Sequence, residues 1–377
     1  MMNILVLSKR QYTNKDLVDD RYGRLREIPL ALAEAGHTVY GICLSYRIRQ
    51  EGLWEDGRNH AKVTWHLLNA DKLLPVGSSN YWKKIEMIGE SFHPDIVWAC
   101  SDAPHAIFGH LVAKKLKSLL IIDLYDNFES FGLTRLPGMT TAFRRALRKA
   151  RGITCVSKPL AKYVRDTSGC LCPIEVIENA VPENTFYPME QTICRRELKL
   201  PVNGIFIGTT GAISKSRGIE ALFKAFEILA QERPDVHLVL AGARGRGLSL
   251  PNHPRIHYLG LLPAERVSLV LSALDIAVIC NRKSLFGEYC FPQKFYESVA
   301  CGVPVVAAAT ASMLELLQDY PQNLYEPENP ESLASALRCQ MKNPCPWQGN
   351  VPTWNMMGKK LADFFHKCLL ETAGEGK

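Results

Sequence analysis

The chain has 377 residues, of which 47% are hydrophobic and 22% charged, and a formal net charge of +7. That length exceeds one ordinary core and suits two domains of roughly 150 to 200 residues each. The charge is too thinly spread for a dedicated nucleic-acid binder, but it leaves room for a phosphate-bearing ligand or an anionic surface.

No apolar run reaches the ~18 residues of a membrane-spanning helix. The opening Met1-Met2-Asn3-Ile4-Leu5-Val6-Leu7-Ser8 has no charged leader and reads as a first strand, not a signal peptide. The cysteines at 43, 100, 155, 280 and 301 lie in apolar runs, where a reduced thiol behaves as a small hydrophobe. Cys170-Leu171-Cys172 has no second pair at ligand spacing and therefore does not read as a zinc site. The expected setting is reducing and cytoplasmic.

In chain order, short apolar runs predict strands near Asn3–Ser8, Thr38–Cys43, Val63–Leu68, Ile96–Cys100, Leu119–Asp123, Gly152–Val156 and Ile174–Ile177. An amphipathic helix from Leu25 to Ala35, closed by Gly36, lies between the first two. Ala142 to Arg151 is amphipathic, with Phe143, Ala146, Leu147 and Ala150 on one stripe and Arg144, Arg145, Arg148, Lys149 and Arg151 on the remainder. That basic face suits anionic lipid, and equally plain solvation.

A turn-rich stretch through residues 186–203 then predicts a linker. The strand pattern resumes at Ile205–Thr210, Val236–Ala241, Ile256–Leu259, Ile276–Ile279, Val303–Ala307 and Gln322–Tyr325, with a helix over Gly218–Ala230. Continuous apolar strands alternating with helices imply parallel sheets covered on both faces. The expected organisation is one doubly wound domain over 1–185, the linker, a second over 204–350 and a last helix over 351–377. Doubly wound sheets bind ligands beyond the carboxyl ends of their strands, so the two domains are expected to face a common cleft.

The most informative stretch runs from Phe291 to Ala307, with Pro292 where a helix begins, Gly302 where it ends, and an apolar strand directly after. A helix entering beside a sheet edge turns backbone N–H groups toward its ligand, which suits a diphosphate. Glu297, inside that helix, is placed to accept both hydroxyls of a ribose. Read without the surrounding motif, Glu297 and Lys294 are ordinary solvated helix residues.

The run resembles the nucleotide-binding signature of retaining glycosyltransferase family 4, Glu-x7-Glu followed by Ala-x-Gly-x-Pro-Val-Val. Glu297, Ala300, Gly302, Pro304, Val305 and Val306 match it. The resemblance implies a GT-B fold of two Rossmann-like domains, the first (1–185) for the acceptor and the second (204–350) for the donor, with the last helix (351–377) returning to the first. It implies sugar transfer from a nucleotide-sugar donor, with retention and without a metal. It also implies that Glu297 holds the donor ribose. At the first glutamate the sequence departs, with Tyr289 in its place and Glu288 one residue away. A subgroup carrying Pro-x-Lys-x-x-Glu is similar here, and in that setting Phe286 and Gly287 supply backbone contacts to the sugar.

Gly208 to Gly218 reads as a strand, a Gly-punctuated loop and a helix start. Arg217 resembles the family's basic residue that neutralises the leaving diphosphate, with Gly211 and Lys215 beside it. Gly242, in Gly242-Ala243-Arg244-Gly245-Arg246-Gly247, lies where the family ends a strand near the donor base, and its spacing is not that of a dinucleotide fingerprint. On the acceptor side, Arg21, Gly23 and Arg24 precede the first helix, and Asp102 and His105 follow a strand end. Tyr125 stands where the family often has a histidine near the transferred sugar. Arg217, Asp126, Glu129 and Glu288 are the candidates for catalysis. For the arginines, Asp126 and His105 the alternatives are surface, strand-end and capping roles.

The reading is therefore a glycosyltransferase acting on a glycan or lipid-linked acceptor, cytoplasmic or held peripherally on the inner membrane face through 142–151. It has no cofactor beyond the nucleotide-sugar co-substrate and no nucleic-acid partner. A nucleotide-sugar epimerase of the same fold and a non-catalytic, donor-binding partner subunit are the alternatives.

Overall fold

The computed structural model describes residues 1–12, 15–70, 79–130 and 132–374. The chain forms two compact units, Met1–Asn179 with Thr353–Lys377, and Ala180–Pro352.

The first unit is built on an eight-stranded sheet: β1 (Asn3–Lys9), β2 (Thr38–Ser45), β3 (Gly52–Arg58), β4 (Ala61–Asn69), β5 (Ile96–Ala99), β6 (Leu119–Leu124), β7 (Gly152–Cys155) and β8 (Ile174–Val176). Their order across the sheet is β8-β7-β6-β5-β1-β2-β4-β3. All neighbours are parallel except β3, which pairs antiparallel with β4 from Gly52↔Leu67 to Arg58↔Ala61. This edge corrects the expectation of a wholly parallel sheet. Its sequence, Gly-Leu-Trp-Glu-Asp-Gly-Arg, is mostly exposed and lacks the continuous apolar run of a central strand. The central strands are such runs: Leu5, Val6, Val97 and Ile121 have no exposed surface.

Arg24, at the start of helix Arg24–Glu34, is wholly buried and forks onto Asp123 of β6, with Nη2 donating to Oδ1 at 2.6 Å and Nε to Oδ2 at 3.0 Å. Its Nη1 donates to the Ile177 carbonyl at 2.6 Å, and Thr154 Oγ1 donates to Asp123 at 2.5 Å. The last helix, Trp354–Gly374, packs in this unit. Gly358 lies so close to Ala31 that an added Cβ would come within 2.5 Å of the Ala31 methyl. Phe365 meets Trp98 edge-on at 6.3 Å, and Lys360 donates to the Val176 carbonyl at 2.8 Å.

The second unit carries β9 (Ile205–Thr210), β10 (Val236–Ala241), β11 (Ile256–Tyr258), β12 (Ile276–Ile279), β13 (Val305–Ala308) and β14 (Leu324–Tyr325). They are all parallel in the order β11-β10-β9-β12-β13-β14. Residues 186–203 include helix Gln191–Glu197, where Arg195 donates to the Ala273 carbonyl and to Asp275 within this unit. Helix Ile219–Glu232 buries Leu222, Ala225, Phe226 and Leu229 against the sheet. Only Leu324 and Tyr325 of the expected last strand pair, because Pro321–Asn323 turn as a 3-10 helix. In each unit the strand order reverses about one strand, β1 and β9, and the crevice at that reversal is where a doubly wound sheet binds its ligand.

Candidate functional site

The carboxyl end of β9 is the centre of the second unit's site. Gly211 follows it at φ +88°, and Gly242, following β10, has φ +145°. An added Cβ on Gly242 would fall 1.7 Å from the Gly211 carbonyl oxygen, so only glycine admits this backbone approach. The Gly211 N–H donates to Ala241 at 2.8 Å, Ile213 N–H to Ala243 at 3.0 Å and Gly245 N–H to Ile213 at 2.8 Å. The two loops are thereby zipped into one platform beyond the strands.

Arg217 does not start the following helix, as the sequence suggests. It closes a 3-10 turn, Lys215–Arg217, and Gly218 in the left-handed region (φ 69°) separates it from Ile219–Glu232. Lys215 is largely exposed, 3.7 Å from Glu220.

Helix Gln293–Ala300 begins after Pro292, which gives it no side-chain cap. Lys294 in its first turn reaches the platform: a Cβ on Gly211 would lie 3.9 Å from Lys294 Nζ. Desolvation first, and then the neighbouring Arg217 charge, lowers the Lys294 ammonium to about 8. One turn on, Glu297 is buried and accepts from Gln293 Nε2 at 3.0 Å. Burial raises its carboxyl to about 7 against the opposing pull of Lys294 and the Gln293 bond. The structure thus brings Gly211, Gly242, Arg217, Lys294 and Glu297 to one sheet edge, with two cations side by side. Such a site is prepared for a polyanion.

Helix Leu285–Tyr289 carries the rest of the motif. Glu288 Oε2 accepts from the Ala311 N–H at 2.9 Å and so caps helix Ala311–Leu316. The Gly287 N–H donates to Ser284 Oγ at 3.0 Å, and a Cβ there would meet the Arg282 carbonyl at 1.9 Å. Phe286 lies in this helix, and its side chain is outside the described residues.

In the first unit, β1, β5 and β6 end on a second polar cluster. Lys9, which sequence reasoning passed over, sits 5.7 Å from the Tyr125 ring centre. Burial lowers its ammonium, while Asp102 and Asp126 pull it upward. Asp102 caps helix Ala103–Leu116 through the His105 N–H, bonds the His105 ring at 2.7 Å and accepts from Tyr46 at 3.0 Å. Desolvation opposes its ionisation, but His105 and Lys9 outweigh it and hold the carboxyl at about 2. Tyr125 donates to the Ser101 carbonyl at 2.7 Å. The signal for Lys9 was its place at the end of an apolar strand on the ligand edge.

Two other candidate side chains, Glu129 and Arg24, have structural partners. Glu129 is held by Arg144 at 2.7 and 2.8 Å and by Tyr163 at 3.0 Å, and these bonds overcome burial to keep its carboxyl below the ordinary value. Arg24 is in the buried pair with Asp123, so its side chain has no surface to offer an acceptor. Gly23 caps that helix at φ 87°, and Arg21 is exposed with φ 45°.

These two sheets define a GT-B protein of paired Rossmann-like domains. Residues 25–184 match the family model described as Glycosyltransferase Family 4, and residues 204–343 match that of Glycosyl transferases group 1. Each half of the chain is thus similar to a glycosyltransferase family model. It is 30% identical over 159 residues to the D-inositol 3-phosphate glycosyltransferase of Mycolicibacterium gilvum, a match covering 39% of this chain and 34% of that protein. The chain thus spans about a third of the length of the inositol-phosphate enzymes it matches. The N-acetyl-alpha-D-glucosaminyl L-malate synthase of Bacillus anthracis is 20% identical over 300 residues, covering 78% of this chain and 76% of that one. Anabaena HepE in complex with UDP has the same fold, with a TM-score of 0.67, 18% identity and 99% of both chains covered. A glycosyltransferase from Rickettsia africae reaches a TM-score of 0.70 at 17% identity, covering 97% of this chain and 98% of that one.

Proposed function

We propose that the protein transfers a hexosyl or related sugar from a nucleotide-sugar to a glycan or lipid-linked acceptor, with retention and without a metal. The observation that carries this reading is the adjacency of Arg217, Lys294 and Glu297 at the β9 edge. In it, Arg217 and Lys294 meet the diphosphate and stabilise the charge that develops as it leaves. Glu297 accepts the ribose hydroxyls, and Gly211 and Gly242 allow close backbone approach. Lys9, Asp102, Asp126 and Tyr125 form the acceptor side.

The test is a thermal-shift screen with nucleotide-sugars and nucleoside diphosphates, uridine compounds first because Anabaena HepE binds UDP, followed by product analysis. A shift abolished in Glu297→Ala and Arg217→Ala, with product of retained anomeric configuration, is the expected result. Full transfer in both variants sinks the proposal. Sugar conversion without an acceptor would indicate an epimerase, and binding without turnover a partner subunit.

Binding of the diphosphate is expected to take up protons at alkaline pH. Free Lys294 is half-charged near pH 8, and a bound polyanion raises its affinity for the proton. Affinity therefore falls as pH rises through about 8, and calorimetry in buffers of different ionisation enthalpy at that pH should show uptake of about half a proton. Lys294→Arg, permanently charged, should bind with no such uptake.

Peripheral membrane contact belongs to the same proposal. Helix Met139–Lys149 exposes Arg145, Arg148 and Lys149, while Arg144 is committed to Glu129. His110 is lowered by burial first and then by Arg145, Lys114 and Lys149, which places these cations together. Each basic group near an anionic surface contributes about 1 kcal/mol. Arg145→Glu/Lys149→Glu should therefore abolish co-sedimentation with phosphatidylglycerol vesicles, and unchanged sedimentation would remove this part.

A further inference from the structure

Helix Pro330–Lys342 of the second unit is followed by the strap Asn343-Pro344-Cys345-Pro346-Trp347-Gln348-Gly349. Its start is pinned at both backbone polar groups of Cys345. The Cys345 N–H donates to Gln340 Oε1 at 2.9 Å, and the Cys345 carbonyl accepts from Asn323 Nδ2 at 2.9 Å. Gln340 Nε2 closes the ring by donating to Asn323 Oδ1 at 2.8 Å, and both amide side chains are buried. Pro344 and Pro346 fix φ on either side, which stiffens the strap. It delivers Trp347 to helix Gln293–Ala300, where the indole meets Phe295 edge-on at 5.4 Å and Tyr296 at 6.0 Å. Phe291, just before that helix, stacks on Tyr296 at 4.9 Å. The Gly349 backbone lies so close to the indole that an added Cβ would overlap Trp347 Cζ2, and the Gln348 N–H donates to Tyr320 Oη at 3.3 Å.

Lys294 and Glu297, three residues apart, share one face of the helix, while Phe295 and Tyr296 fall on the opposite face and are buried. The helix has eight residues and no side-chain cap at its N-terminus. A helix that short is not held by its own hydrogen bonds, so packing decides where it sits. We infer, on the donor-site reading proposed above, that Trp347 is a positioning residue: it braces the aromatic face of this helix and thereby fixes Lys294 and Glu297 for a nucleoside diphosphate. In this role it acts through the helix and not on the ligand.

Loosening the brace lets water reach Lys294. Its ammonium is held at about 8 chiefly by desolvation, so hydration returns it toward the ordinary lysine value and leaves it charged at pH 8 with or without ligand. The uptake of about half a proton on diphosphate binding at that pH then disappears. A change that only lowered the stability of the unit would leave the uptake per bound ligand as it is.

The experiment titrates the full chain with UDP, ADP and GDP by calorimetry at pH 8 in buffers of different ionisation enthalpy, with unfolding midpoints alongside. For whichever diphosphate binds the wild type, Trp347→Ala should raise Kd about tenfold and abolish the proton uptake, the scale on which loss of an orienting residue weakens a built site. Gly349→Ala, whose new methyl displaces the indole, should do the same, and carries the test alone should Trp347→Ala not fold. Trp347→Phe, which keeps a ring against Phe295 and Tyr296, should bring Kd back to within about twofold and recover the uptake. Wild-type affinity and uptake in folded Trp347→Ala, or affinity lost with the uptake retained, overturns the brace and leaves the donor site standing. No binding of any of these diphosphates to the wild type overturns the donor-site reading, and the brace with it.

Discussion

Arg217→Ala should lower sugar transfer by about a hundred- to a thousandfold while leaving the protein folded. The side chain closes a 3-10 turn rather than supporting a core, and Gly218 isolates it from the helix that follows. Its charge bears on Lys294, and in the proposed reading both cations meet the same phosphates. A preorganised donor aimed at developing charge is worth about 3 to 4 kcal/mol in a site of this kind, which gives the range of rates. Lys215→Ala is the internal comparison. That lysine is exposed beside Glu220 and should cost less than about fivefold, the scale of a surface pair. Initial rates at saturating acceptor, with unfolding midpoints for all variants, separate the outcomes. Equal losses at 215 and 217 would mean that the turn as a whole, and not the Arg217 charge, supports catalysis.

Asp123→Ala should destabilise the first unit by about 3 to 5 kcal/mol, because it leaves the Arg24 guanidinium buried without its counter-ion. Urea unfolding followed by circular dichroism measures the loss. Arg24→Leu/Asp123→Ala should recover part of the stability by removing the stranded charge. Recovery should stay incomplete, since the Ile177 and Glu178 carbonyls lose their donor as well. A double variant no better than Asp123→Ala would place the cost in packing around β6 instead.

That ion pair shows where sequence reading stops. Asp123 ends an apolar run and is recognisable as a carboxylate in a buried strand. Its partner lies 99 residues away, and only the tertiary fold identifies Arg24. The central strands were legible because burial on both faces imposes unbroken apolar runs, as in Ile276–Ile279. The antiparallel edge Gly52–Arg58, half bare and containing two glycines, carries no such imprint. At the candidate site, the glycines and the Lys294–Glu297 helix could be read from local spacing. The partners of Glu129 and Glu288 could not, since Arg144 and Ala311 come from other helices. Lys9 resembled any charged residue after a strand until β5 and β6 surrounded it with Asp102 and Asp126.

The residence of Thr353–Lys377 in the first unit bears on how the polypeptide matures during synthesis. The second unit is one uninterrupted stretch, Ala180–Pro352, and all of its strands have left the ribosome before Trp354 emerges. The first unit begins earlier and finishes later, because Ala31 and Trp98 meet Gly358 and Phe365 only when the last helix arrives. A nascent chain exposed only as far as residue 352 would carry a complete second unit and a first unit whose core is still open to chaperones and proteases.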